Sequence, residues 1–189
     1  MELIDGRQLA DTIKEEIRIT VADYVSEGNR PPHLAAVLVG ADPASKVYVR
    51  NKVKSCEQVG FSSTLVERGS ETTESELLEI VDQLNKDPEI DGFIVQLPLP
   101  KHINEQKITL AIDPKKDVDG FHPTNFGRMA QGLPAYLPAT PFGIVQMLDR
   151  NNINISGKEC VVLGRSNICL LYTSPSPRDR TRSRMPSSA

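Results

Sequence analysis

An α/β fold with a parallel sheet is predicted by three observations. Leu34 to Val39 is a continuous apolar run, and Gly92 to Leu97 is interrupted only by Gln96. Uninterrupted apolar strands are those buried on both faces. Segments of helical periodicity lie between such runs, and strands alternating with helices form parallel sheets.

The elements follow in order. Leu9, Ile13, Ile17, Val21 and Val25 recur every four residues, predicting an amphipathic helix that ends near Gly28. Pro31-Pro32 breaks the chain before the strand at 34–39, and Gly40 closes that strand. A helix is expected from Pro43 to Val59, a strand at Thr64-Leu65-Val66, and a helix from Glu74 to Asn85. After the strand at 92–97, Asn104 to Ile112 predicts a short helix. Ile112 to Pro141 is rich in Gly, Pro and Asp and is read as a long loop, the kind that is usually functional. Thr140-Pro141 has the pattern of an N-cap followed by proline at the first helical position, with a helix to Arg150. A turn over Asn151 to Gly157 and a strand from Lys158 to Leu163 then lead into Gly164-Arg165-Ser166, the way a βα nucleotide-binding unit begins. From Cys169 onward, prolines, serines and arginines replace apolar periodicity, and a disordered tail is expected.

Composition narrows the function. The chain of 189 residues is 39% hydrophobic and 25% charged, ordinary for a globular protein. No apolar run is long enough to span a membrane, and Met1 to Asp5 lacks the features of a signal peptide. Net charge is −3, yet Arg178 to Ala189 holds four arginines and one aspartate. The remainder carries 18 basic and 24 acidic side chains, a net of −6, with no basic excess for nucleic acid. Cys56, Cys160 and Cys169 are odd in number and widely spaced, which argues for a reducing compartment and against a metal site. His33, His102 and His122 show no metal or relay spacing and are read as structural or exposed.

Chemistry concentrates in a few segments. Ser45, Tyr48 and Lys52 are spaced by three and four residues, which makes them neighbours along one helix. A phenol positions flat rings, and an amine does acid/base work. Tyr-x-x-x-Lys after a serine also occurs in short-chain dehydrogenases, but no G-x-G-x-x-G dinucleotide loop precedes it here. Gln96 ends an apolar strand, so its amide requires a partner, and a polar ligand is one such partner. Asp117-Val118-Asp119-Gly120 lacks the ligand spacing of a calcium loop; it is either a plain turn or a carboxylate suited to an amidine-like edge. Gly164, Arg165 and Ser166 offer backbone N–H groups, a guanidinium and a hydroxyl to phosphate.

In combination these segments are specific. Residues 39–52 (Val-Gly-Ala-Asp-Pro-Ala-Ser-Lys-Val-Tyr-Val-Arg-Asn-Lys), 96–100 (Gln-Leu-Pro-Leu-Pro), 116–123 (Lys-Asp-Val-Asp-Gly-Phe-His-Pro), 138–143 (Pro-Ala-Thr-Pro-Phe-Gly) and 164–168 (Gly-Arg-Ser-Asn-Ile) occur in that order. Up to about Ile168 the chain closely resembles the bifunctional methylenetetrahydrofolate dehydrogenase/methenyltetrahydrofolate cyclohydrolase family. The resemblance implies a cytoplasmic homodimer of one-carbon metabolism, serving purine, methionine and histidine biosynthesis. Such an enzyme oxidises 5,10-methylenetetrahydrofolate with NADP and hydrolyses the methenyl product to 10-formyltetrahydrofolate. Tetrahydrofolate derivatives would be its ligands, with neither nucleic acid nor membrane as a partner. Carried onto this chain, Lys52 would be the catalytic amine, Tyr48 would stack on folate and orient Lys52, and Gln96 would tune Lys52. Asp119 would grip the pterin edge, with Ser45, Leu97 and Pro98 completing the substrate site. Gly164, Arg165 and Ser166 would hold NADP, and no metal is implied.

Two departures qualify the resemblance. Ala139 stands where many members have cysteine, and the sequence from Cys169 loses all likeness to the family. The expected organisation is a folate-binding catalytic domain over 1–139, a connecting helix and first strand of a Rossmann NADP-binding domain over 140–168, and a non-family tail over 169–189. With that second domain only begun, NADP binding and the dehydrogenase step are expected to be absent or very weak. The alternative is a non-catalytic folate-binding or misfolded fragment.

Overall fold

The computed structural model describes residues 4–159 and residue 161. The chain divides into two units, one through Leu137 and one beginning at Pro138. The first holds a parallel three-stranded sheet in the order β2-β1-β3: β1 is His33–Val39, β2 Ser62–Arg68 and β3 Gly92–Val95.

The helices lie where their end signals put them. Asp5 caps α1 (Gly6–Ser26) by accepting from Arg7 N and Gln8 N. Asp42 caps α2 (Pro43–Val59), with Pro43 in its first turn, and Gly60 ends it at φ +83°. A left-handed residue at that place is the usual glycine stop. Thr73 and Glu76 form a reciprocal capping box on α3 (Glu74–Lys86). Asn104 caps α4 (Glu105–Ala111) through Lys107 N.

Central position explains the apolar run of β1. Ala35, Val37 and Val39 face one core with Leu77, Val81, Phe93 and Ile108, while Ala36 and Leu38 face another with Val49 and Ile94. Alternate residues of a strand point to opposite faces, so a strand covered on both sides has no polar face to keep. Strand β2, at an edge, has only exposed or half-buried residues.

Three expectations are corrected. The long loop contains a helix, α5 (Pro123–Ala130), capped by the His122 side chain, which accepts from Thr124 N at 3.1 Å. Histidine is not a strong capping signal, and the helix spans barely two turns, so periodicity did not reveal it; Pro123 at its first position was the available clue. In the second unit, α6 runs Ala139–Arg150 with Pro138 as its cap and no side-chain capping bond. Thr140 is therefore inside the helix. Pro141 is tolerated there because the first N–H groups of a helix have no intrahelical partner anyway. Lys158 and Glu159 are not in a strand; the rest of the expected strand to Leu163 lies outside the described residues, apart from Val161, which is also not in one.

Candidate active site

The site runs along α2, with Gln96 reaching it from the carboxyl end of β3, the end at which parallel sheets usually bind ligands. β1 runs into α2, whose helical spacing separates two faces. Ser45, Val49, Cys56 and Val59 are buried, whereas Tyr48 is 61% exposed. Lys52, one turn on from Tyr48, has a half-buried side chain. Ser45 thus belongs to the seated face of the helix, its backbone N–H donating to Asp42 Oδ2 at 2.7 Å.

Tyr48, Lys52 and Gln96 line one cleft of about 570 Å³. Its other walls come from Lys14 and Ile17 of α1, Leu34 of β1, and Cys56 of α2. The cleft is chiefly apolar with a few polar groups, the composition expected where a flat organic ligand is held and oriented.

Gln96 extends the β3 ladder by one bond, its N–H donating to Val37 O at 2.9 Å. Its side-chain Nε2 donates to Leu97 O at 2.6 Å. The Oε1 is buried and accepts no hydrogen bond. An orphaned buried acceptor is costly, and a donor arriving in the cleft would relieve it. The Leu97–Pro98 peptide is cis. Leu97 is half-buried and Pro98 exposed.

Asp119 arrives from the other side. Its Oδ1 lies 3.8 Å from Lys52 Nζ, with side chains 20% and 39% exposed respectively. Burial pushes the Asp119 carboxyl above the usual carboxylate range; the Lys52 ammonium opposes this shift, and the neighbouring Asp117 charge adds to it. Asp119 does not line the Tyr48–Gln96 cleft. It flanks a small void beside Leu97 and Phe121 and meets the cleft through Lys52.

Four of the sequence-predicted residues therefore converge: Tyr48, Lys52 and Gln96 in one cleft, and Asp119 on Lys52. The three candidate NADP residues, Gly164, Arg165 and Ser166, lie outside the described residues. Sequence reasoning missed the α1 wall of the cleft, since Ile17 read as ordinary core; its 38% exposure is visible only once α1 is docked. All three histidines have local partners: His33 meets Thr64 Oγ1, His102 meets Thr72 O, and His122 caps α5. Among the described residues, no group of three or more His, Cys, Asp and Glu side chains is placed to hold a metal ion. No helix among them is long and apolar enough to cross a membrane.

A parallel α/β unit with an amine facing a half-buried carboxylate at the strand ends is the arrangement of a catalytic domain. Residues 4–119 match the family model for the tetrahydrofolate dehydrogenase/cyclohydrolase catalytic domain, and the chain belongs to that family. It is 59% identical over 168 residues to a protein of Cytophaga hutchinsonii called bifunctional protein FolD, covering 89% of this chain and 58% of that one. A protein of the same name from Porphyromonas gingivalis is 58% identical over 167 residues, covering 88% and 56%. The crystal structure of the Campylobacter jejuni bifunctional enzyme FolD, a methylenetetrahydrofolate dehydrogenase/cyclohydrolase, superposes with a TM-score of 0.86 at 42% identity, covering 89% of this chain and 60% of that one. The Trypanosoma brucei enzyme, solved with NADP cofactor and inhibitor, gives a TM-score of 0.85 at 33% identity, covering 89% and 58%. The chain thus spans a little over half the length of these curated relatives.

Proposed function

We propose that this chain carries the folate site of a bifunctional methylenetetrahydrofolate dehydrogenase/methenyltetrahydrofolate cyclohydrolase, and that the Lys52 cleft performs the hydrolytic step. The observation that carries this reading is the approach of Lys52 Nζ to Asp119 Oδ1 beside a buried, unpartnered Gln96 Oε1. The named relatives support the substrate class.

In this reading the folate lies against the exposed Tyr48 ring. The amidine-like edge of its pterin meets the Asp119 carboxylate, which accepts paired hydrogen bonds. Water adds to the methenyl carbon of 5,10-methenyltetrahydrofolate, and Lys52 Nζ is the group that takes the proton water loses. The bond from that carbon to N5 then breaks. Lys52 returns the proton to N5, the hydroxyl on the carbon loses its remaining proton to solvent, and the carbon is left as the formyl group on N10. With substrate in the cleft, Gln96 Oε1 takes the Lys52 amine as its missing donor and keeps it aimed at the reacting carbon. Holding amine, water and carbon together removes most of the entropic cost of their encounter.

NADP would supply a hydride acceptor for the oxidative step. Its candidate residues, Gly164, Arg165 and Ser166, fall outside the described residues, and no strand follows α6 within them. The domain arrangement we favour keeps folate binding in 1–139 and assigns 140–168 to the start of the cofactor domain. The family resemblance supports a homodimer, and the odd number and wide spacing of the cysteines support a reducing cytoplasm.

Hydrolysis of 5,10-methenyltetrahydrofolate, followed by its absorbance, tests the reading. The intact chain should exceed the buffer rate and Lys52→Met should not. Equal rates for parent and variant would overturn it.

A further inference from the structure

Asp117 is 2% exposed and Asn125 4% exposed. No lysine or arginine forms an ion pair with Asp117 among the described residues. The nearest lysine in sequence, Lys116, instead caps α3 by donating to Leu84 O and Asp87 O. N–H donors surround the Asp117 carboxylate: Phe121 N at 3.3 Å on Oδ1, with His122 N at 2.8 Å and Asn125 Nδ2 at 2.9 Å on Oδ2. Asn125 Nδ2 also donates to Pro114 O at 2.8 Å. Asn125 is the one buried residue of α5, with Phe126 and Met129 half-buried beside it.

The clamp has a fixed base. Asp117 bridges to Phe93 of β3, and Phe93 N donates to Lys116 O at 2.9 Å. Gly92 lies so close that a Cβ there would come within 2.3 Å of Val118 Cγ1. Between this base and the bonds at 121, 122 and 125, the turn has little freedom, and Gly120 completes it at φ +68°. Asp119 is carried inside that turn.

A buried carboxylate is expensive to desolvate, and uncharged N–H groups compensate only in part. A neutral side chain would close the same turn at lower cost. What the charged, fully bonded version adds is a stiff setting for the residue two positions on. We propose that Asp117 and Asn125 are positioning residues, a buried clamp that closes the 117–122 turn and sets the Asp119 carboxylate against Lys52. The inference rests on the folate-site reading for its functional consequence, and on geometry alone for the positioning itself.

The test uses Asn125→Ala in the full chain, with Val81→Ala, buried in the α3 core, as a control for lost stability. Three quantities are read: KM and kcat for methenyltetrahydrofolate hydrolysis, binding of 5-formyltetrahydrofolate as a stable probe, and the titration midpoint of the Asp119 carboxyl by carbon NMR. Asn125→Ala should raise KM and weaken probe binding by about tenfold or more with a much smaller change in kcat. It should also return the Asp119 midpoint toward the ordinary aspartate range, because the released turn lets water reach the carboxyl. Val81→Ala should change none of the three. Asn125→Ser is the milder variant should Asn125→Ala fail to fold. Parent-like values in the folded Asn125 variant, or equal losses in Val81→Ala, overturn the inference. If the parent neither binds the probe nor hydrolyses substrate, the folate reading fails, and the Asp119 midpoint still decides whether the clamp positions that residue.

Discussion

Lys52 Nζ stands 3.8 Å from Asp119 Oδ1, joining the helix after β1 to the turn beyond β3. Exposed ion pairs are worth roughly 0–1 kcal/mol, and Lys52 is more than a third exposed, so this pair adds little to stability. Its significance is chemical: an amine and a half-buried carboxylate flank the place where a ligand would sit.

Replacing Lys52 by methionine keeps the length of the side chain and removes the amine. Loss of general acid/base catalysis is expected to lower hydrolysis by about 10²–10⁴-fold. The thermal midpoint should hardly move. A large drop in melting temperature alongside the lost rate would instead make Lys52 a structural residue.

Asp119 links the site to pH. Its carboxyl is held above the ordinary value, mainly by burial, so between the unfolded and folded values the native state binds more protons than the unfolded one. Stability therefore falls as pH rises through that window, and the loss persists above it. Asp119→Asn should remove this loss, leaving a variant more stable than the parent near neutral pH yet impaired in folate binding. Unfolding midpoints measured from acid to neutral pH check it; parallel curves for the two proteins would refute it.

Tyr48 separates function from folding. At 61% exposure it contributes little packing, and Tyr48→Ala should change stability by no more than about 0.5 kcal/mol. Folate binding should nonetheless weaken through the lost stacking surface. Chemical denaturation and probe titration on the same sample compare the two effects.

Asn85 of α3 ties down the end of α4. Its Nδ2 donates to Ala111 O and its Oδ1 accepts from Asp113 N, both at 2.8 Å. Asn85→Ala leaves two backbone groups without those partners and should cost about 1–3 kcal/mol. Urea unfolding measures it, with Asn85→Ser expected to lose less.

The alternation of apolar runs with amphipathic segments was enough to foresee a parallel sheet, because a strand covered on both faces keeps no polar side. Helix ends at Gly60 and Asn104 were equally legible, being written in local backbone chemistry. Helix α5 was not, because its one buried residue is an amide, Asn125, whose partner Asp117 becomes its neighbour only after the turn closes. Likewise, four-residue spacing predicted that Tyr48 and Lys52 share a helix face, but not that Ser45 is turned into the core.

The order of residues along the chain determined the family, the sheet type and the candidates Tyr48, Lys52, Gln96 and Asp119, since each depends on neighbours a few positions away. Tertiary structure alone decided that Asp119 reaches Lys52, that Gln96 Oε1 is left without a donor, and that Asp117 is buried without a cation. Such facts depend on distances between segments far apart in sequence, and those distances exist only once the sheet has packed on both faces.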